Sequence, residues 1–503
     1  MIFDLNNFKK LEKKTDVVII GSGPSGLLTA SILEKKGFKI ILLESGSFQS
    51  NSTTDKLNKV VCKKSSYDGA TLGRTRCLGG TSSIWGGGMR PNLSADLLNG
   101  NWSVDSAFLK KNIRHLESIC GLNNDCYEDP KLFSKNTDFI ARYTKYSSFY
   151  KKNFFNIFQK LLKKSDNLNV YINATATKFE VKKKKLHTVE AQSRNGSVIK
   201  IKANNFIIAA GAIESTRLTL LIDSQNNNCI SKLSPFVGKY FSDHISIPIA
   251  SISAYHKKKL NEIFAYSFYS GKRKKIVIEM KENSTLRSML PPFFFHIPTD
   301  SKNSLFLALR EILRSVQKKN FPKFKHLKKL FFEFPHFLQL IYWIVVKKRL
   351  LFSKELKLKI HIIMQQSSTA QNKITLSKKL DSFKQPLAEI HWKVSKLDTQ
   401  NILKASKAIK HFWQSSFLSS LGKYRELNKN LIAGYAKKSR GIYHPSGSTR
   451  IGATAKEGVV NNKLQLFALK NTTIVSTSVF PTGCASNPTM TLLQLVYRCA
   501  KYF

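Results

Sequence analysis

Acidic residues are scarce in this sequence: 32 Asp and Glu stand against 82 Lys and Arg in 503 residues, a formal charge of +50. Such an excess attracts nucleic acid, anionic lipid headgroups and acidic substrates alike. The modules that read nucleic acid are missing, however. There is no zinc-finger spacing, no RNP-like aromatic signature and no repeated base-reading unit, so no specific nucleic-acid partner is expected. Lysines are instead spread along the chain, in runs such as 182–185 and 347–350, as a compositional bias of the genome would also spread them. Cysteine is sparse too. Seven residues, an odd number without a C-x-x-C pair, exclude a disulfide framework and a cysteine-based zinc site, and a reducing cytoplasm is the expected compartment. No metal site is expected. Long apolar runs are also lacking: the longest, FLQLIYWIVV at 337–346, falls short of the ~18 residues of a spanning helix. The opening MIFDLNNFKKLEKKTDVVIIG has no apolar h-region ahead of its first strand, so a cleaved secretion signal is not expected.

What is present is core material. With 42% hydrophobic residues the chain can bury two or more domains, which need not be contiguous in sequence. Residues 16–21, DVVIIG, are an apolar β-branched run ending in glycine, and Gly21, Gly23 and Gly26 then open the helical pattern LLTASILEKKG. Strand, tight turn and helix follow one another. Gly21 permits the turn, Gly23 lets a pyrophosphate approach bare backbone, and Gly26 allows helix and strand to pack closely. The helix N-terminus offers unsatisfied N–H groups to phosphate. A second strand, FKIILLE, ends in Glu44, 18 residues after Gly26; a carboxylate there accepts hydrogen bonds from ribose hydroxyls. This unit alone does not separate FAD from NAD.

Residues 73–91, GRTRCLGGTSSIWGGGMRP, are too glycine-dense for a packed helix and predict a loop whose backbone runs along a ligand. A mobile surface turn would have little use for Trp85 and Met89. With this loop the sequence resembles the glucose-methanol-choline (GMC) oxidoreductases, whose Gly-Gly-Ser/Thr loop lies along the flavin. Here it is Gly79, Gly80, Thr81, Ser82 and Ser83. Pyranose-oxidase-like members carry a histidine, covalently bonded to the flavin, at the position of Ile84; the resemblance therefore implies non-covalent FAD. The stretch NNFIIAAGAIESTRLTLLI at 204–222, with Ala210, is similar to the family's AAGA segment, and GKYFSDH at 238–244 to its G-K-x-x-x-D-H segment. Asp243 and His244 read first as a locally satisfied structural pair.

The C-terminal runs IYHPSGSTRIG (442–452) and TTIVSTSVFPTGCASNPTMTLLQLVYR (472–498) follow the family pattern in order. Alone, a His before Pro-Ser-Gly is more often a turn residue than a base. By position, the resemblance implies that His444 is the catalytic base and Asn487 its partner. It places Ser478, Pro488 and Thr489 against the cofactor, although Ser476 stands where many members have Asp or Gly. Oxidising an alcohol moves a hydride from carbon to flavin N5 while the hydroxyl proton leaves, and a neutral imidazole can take that proton. Cys484 reads as a packing residue.

The expected architecture is α/β plus α+β: a discontinuous Rossmann-like FAD-binding domain at 1–130, 170–245 and 440–503, and a mixed-sheet substrate-binding domain at 131–169 and 246–439. Residues 361–393 are similar to the family's substrate-domain sheet, with Met364 and Gln366 as candidate pocket residues. Within the second domain, residues 303–360 match nothing in the family pattern. Apolar clusters alternate there with lysines, as in a peripheral membrane-surface segment or in an ordinary helical lobe. The expected activity is FAD-dependent oxidation of a CH–OH group in a small alcohol, sugar or polyol, free or lipid-linked, by a dehydrogenase with an unassigned acceptor. A redox-neutral flavoprotein lyase and a non-enzymatic basic binding protein are the alternatives.

Overall fold

Strand Lys10–Ile20 begins charged and exposed and ends in four residues, 17–20, buried on both faces. That pattern marks the centre of a parallel sheet covered on both sides. It pairs in parallel with Ile40–Leu43 and with Val198–Ile208. Beyond Ile40–Leu43 lie Leu168–Ile172 and Ile2–Asp4. On the other side Thr472–Ile474 joins Val198–Ile208 in parallel, and the hairpin Thr175–Lys182 with Lys185–Gln192 closes the edge. Lys183 and Lys184, at φ 47° and 58°, form the tight turn of that hairpin, so this part of the lysine run is a chain reversal. The computed structural model describes residues 1–63, 66–269, 272–299, 305–317, 321–353 and 355–503.

Helix Pro24–Lys35 packs on Phe154–Lys164 and on the C-terminal helix Pro488–Cys499, which brings both ends of the chain to one core. This is the discontinuous Rossmann-like body. Helix Phe154–Lys164, assigned by sequence to the second domain, belongs to this body: its Phe154, Phe158 and Leu162 are buried in the first core.

The second body is a seven-strand path, ordered Gly422–Glu426, His244–Ala254, Lys359–Gln365, Phe293–His296, Lys272–Met280, Phe139–Tyr146 and Gly88–Met89. Side chains alternate across it. Phe293, Phe295, Ile360, Ile362 and Met364 enter a core with Phe412 and Trp413 of the long helix Lys396–Ser415. The opposite face carries Val277, Phe294 and Ile363, which pack against Ala485 and Ile442 of the first body. The two bodies therefore meet across this face.

One expectation is corrected here. Residues 361–393 do not form one sheet. Strands Lys373–Leu380 and Pro386–His391 leave to make a small separate sheet with Val61–Lys63. Ile374, Ala388 and Ile390 are held there by Tyr67, Ile213 and Phe241. The segment at 303–360 forms helices Leu305–Gln317, Phe324–Phe332 and Phe334–Val345; its residues 303–304, 318–320 and 354 lie outside the described residues.

Candidate active site

The three motif glycines do three different things. A Cβ on Gly21 would lie 2.6 Å from the Ala209 carbonyl oxygen, and its φ is 107°; a Cβ on Gly26 would lie 2.0 Å from the Gly21 oxygen. Both are demanded by packing. A Cβ on Gly23 meets no protein atom within 4 Å, and Gly23 caps the helix Pro24–Lys35. Its bareness opens space at a helix N-terminus, where an anion is stabilised. Glu44 is buried beside this turn. One oxygen accepts from Ser22 N (3.1 Å) and Ser22 Oγ (2.6 Å), the other from Gly46 N (2.8 Å). Ser45 Oγ also donates to that second oxygen, at 3.4 Å; this long contact leaves it the more open of the two to a further donor.

The loop at 79–83 is bound to this turn. Gly79 N donates to Ser22 O at 3.0 Å, and a Cβ on Gly80 would stand 3.1 Å from the Gly23 Cα. Ser82 Oγ accepts from Phe154 N and donates to Gly79 O, while Ser83 Oγ donates to Gly80 O. Those two hydroxyls hold the loop. Thr81 alone of the three makes no side-chain hydrogen bond among the described residues and is half-buried. Trp85 donates to Lys152 O at 2.7 Å and Met89 is fully buried, so the loop is packed. Ala210 caps helix Gly211–Gln225, its N–H donating to Ser215 Oγ. An open helix end, a buried carboxylate and a glycine loop are together a donor set that fits a dinucleotide cofactor.

His444 lies in a turn fastened to a buried carboxylate. Asp243 accepts from His244 N (2.7 Å), His444 N (3.0 Å), Ile442 N (3.2 Å) and the Tyr67 hydroxyl (2.6 Å). Burial pushes the Asp243 carboxyl up to about 6 against the pull of those donors. Asp243 is thus an anchor, as its sequence context predicted. His244 is more than structural: its Nδ1 lies 3.0 Å from Nδ1 of His444, and its Nε2 lies 2.8 Å from the Cys484 carbonyl oxygen.

These two contacts fix where the protons are. A carbonyl only accepts, so His244 Nε2 carries a hydrogen. In a neutral ring His244 Nδ1 is then an acceptor, which requires His444 Nδ1 to donate. His444 Nε2 is left with a free lone pair. Burial, and then the neighbouring ring, lower the pKa of His444 to about 3; burial lowers that of His244 to about 4. Both rings are neutral at physiological pH, and the pair presents one base.

Asn487 caps helix Pro488–Cys499, with Pro488 and Thr489 in its first turn. Its Nδ2 donates to Gly88 O at 3.0 Å. The preceding Ser486 is clamped by Arg90, whose Nε reaches Ser486 Oγ at 2.9 Å and Glu279 at 3.1 Å. Glu279 also pairs with Arg142 at 2.8 Å. Sequence reasoning missed this buried charge cluster, because Arg90, Arg142 and Glu279 come together only through the pairing of strands far apart in the sequence. Ser478, expected at the cofactor, is fully buried and spends its hydroxyl on Thr449 and Ser476 at 2.6 and 2.5 Å. It braces the loop on which the His444 turn rests, through Thr477 Oγ1 and Pro445 O.

Met364 and Gln366 do not line the site. Met364 points into the second core, and Gln366 accepts from Trp392 Nε1 at 2.9 Å. The period of a strand puts their neighbours on the facing side: Gln365 accepts from Cys484 N at 2.7 Å, and Ile363 contributes to the apolar patch with Val277 and Phe294.

Residues 368–495 match the family model described as GMC oxidoreductase, and residues 15–236 match that of the pyridine nucleotide-disulphide oxidoreductases. A pyridoxine 4-oxidase from Mesorbium loti superposes with a TM-score of 0.59 at 14% identity, covering 97% of this chain and 99% of its own. A formate oxidase of Aspergillus oryzae RIB40, in a form bearing a mutation, gives 0.56 at 13%, covering 97% and 98%. Among curated protein sequences nothing matches.

Proposed function

We propose, from the premise that the chain belongs to the GMC oxidoreductase family, that it oxidises a CH–OH group of a sugar, polyol or other alcohol with His444 as proton acceptor. The observation that carries this is the relay from the Cys484 carbonyl through His244 to His444, which leaves Nε2 of His444 unprotonated. Family membership implies FAD, and Gly23, Glu44, Gly80 and Thr81 are the residues that would hold it. When bound, FAD supplies the acceptor for the hydride that leaves the carbinol carbon. His444 takes the hydroxyl proton. Asn487 Nδ2 has a second hydrogen beyond the one given to Gly88, and it orients the substrate oxygen. Ile84, half-exposed beside the glycine loop, has no atom able to bond a flavin, so the cofactor is held non-covalently.

On the facing side of the second sheet, apolar Val277, Phe294 and Ile363 alternate in register with polar His296 and His361. Such a wall suits a molecule with both C–H faces and hydroxyls, which supports a sugar or polyol. The proposed acceptor is one other than oxygen. Both solved relatives are named oxidases, so oxygen consumption is the assay that decides the point.

The test is the anaerobic visible spectrum of the purified protein before and after a panel of sugars, polyols and simple alcohols. Bleaching of the flavin band by one class supports the proposal and names the substrate class. Bound flavin that no alcohol bleaches, lipid-linked ones included, defeats it.

A further inference from the structure

The inserted helices carry an apolar surface that the fold does not use. On helix Phe334–Val345, Leu340 and Trp343 are buried, and Phe337 and Ile344 pack on the second core. That stripe fixes the rotation of the helix. The opposite stripe, Phe334, Leu338, Tyr342 and Val345, recurs at helical spacing and is exposed. Helix Phe324–Phe332 repeats the pattern: Phe324, Leu327 and Phe331 share a face, and Phe324 and Phe331 are 77% and 79% exposed. On Phe334–Val345, apolar on both faces, the second face is one that needs a cover.

Charge says what covers it. Between 321 and 350 the sequence has Lys323, Lys325, Lys328 and Lys329 on one flank and Lys347, Lys348 and Arg349 on the other; the only acid is Glu333, already paired with Lys329 at 2.8 Å. Lys328 Nζ stands over the Phe332 ring, 5.7 Å from its centroid, a cation held against an exposed aromatic. Exposed aromatics framed by cations are the lining of a helix lying in a membrane interface. No helix among the described residues is long and apolar enough to cross a membrane, so the contact is peripheral.

We propose that helices Phe324–Phe332 and Phe334–Val345 dock the enzyme on an anionic phospholipid surface, with the phenylalanines at the acyl boundary and the lysines among the phosphates. The end of this surface is stitched to the second sheet. Phe268 N donates to Lys348 O and Leu350 N to Tyr266 O, at 2.8 Å each, and the Tyr266 ring lies 5.3 Å edge-on from Tyr146. Tyr146 pairs with Gly88, the carbonyl partner of Asn487, so the lipid-facing lobe and the catalytic face share a wall.

The test is co-sedimentation of the full-length, flavin-loaded protein with vesicles of phosphatidylcholine containing a quarter phosphatidylglycerol, and with phosphatidylcholine alone, at low and high salt. Binding is expected on the anionic vesicles, weakened by salt. One lysine near such a surface is worth roughly fivefold in partition, so K325Q/K328Q should lose roughly 25-fold. F324S/F331S should lose roughly a hundredfold, since burial of each ring is worth roughly tenfold; both double variants should keep wild-type flavin content and thermal midpoint. Three results would overturn the proposal: no binding at low salt, equal salt-insensitive binding to neutral vesicles, or a stable oligomer in solution that F324S/F331S dissociates. None depends on which alcohol is oxidised.

Discussion

Replacing His244 by leucine removes the acceptor for His444 Nδ1 while preserving an apolar side chain of similar bulk. His444 then keeps a buried N–H without a partner, which costs ~1–3 kcal/mol. The ring escapes this cost by carrying its proton on Nε2, where it can no longer take one from the substrate. At ~1.4 kcal/mol per factor of ten, the active tautomer falls roughly 5- to 150-fold, and the rate of anaerobic flavin reduction in a stopped-flow instrument should fall with it. Asparagine at 244 keeps an acceptor oxygen near the Nδ1 position and loses only the donor to Cys484, so His244→Asn should recover most of the rate. Flavin content separates this effect from misfolding. A leucine variant that reduces its flavin at the wild-type rate would refute the proton assignment; leucine and asparagine variants that are equally slow would show that the ring, not its acceptor, is what counts.

His444→Ala should slow flavin reduction roughly 100-fold or more, the scale for a general base, with flavin content intact. Because His444 is held down to about 3, the reductive rate should show no basic limb near 6.5 and should stay level from neutral pH down to about pH 5. Stability should behave differently. His244, His444, His361 and His296 all have folded pKa values below their unfolded one, so their contribution is complete above about 6.5 and is lost as pH falls toward about 4, where the unfolded chain binds more protons. Asp243 and Asp96, raised to about 6, act in the opposite sense between about 6 and their unfolded value. Four imidazoles outweigh two carboxyls, and thermal midpoints should drop from pH 7 to pH 5. Gly23→Val should leave the unfolding free energy of the apoprotein within about 1 kcal/mol, since its Cβ meets nothing, yet yield protein that retains no FAD through gel filtration. Glu44→Gln should weaken FAD retention roughly tenfold or more, the scale of a hydrogen bond to a charged group, measured as flavin per protein after dialysis.

Local signals carried much of this. Four buried residues running into Gly21, the 18-residue step to Glu44 and the glycine density around Gly79 each report a backbone requirement, and backbone requirements are written in consecutive residues. The dinucleotide unit, the packed glycine loop and the His444 turn were legible for that reason. The lysine run at 182–185 shows the limit: composition reads it as charge, and only pairing reveals a hairpin turn at Lys183 and Lys184. Met364 and Gln366 show another. A strand's period says that neighbours face opposite ways, but which set faces the site depends on a register to strands more than 60 residues away, and the set that does is Ile363 and Gln365.

By itself, then, the sequence determined the chemistry on offer: a phosphate-ready helix end, a buried acid, an imidazole in a Pro-Ser-Gly turn, and a basic apolar insert. Tertiary structure alone decided which groups work together. His244 and His444 are 200 residues apart, and no pattern in either segment announces the 3.0 Å contact. The same packing brings the Cys484 carbonyl to the far nitrogen of His244, and that single acceptor orients every proton in the relay. A side chain's type is local information. Its tautomer is set by what its neighbours can accept, and those neighbours are chosen by the fold.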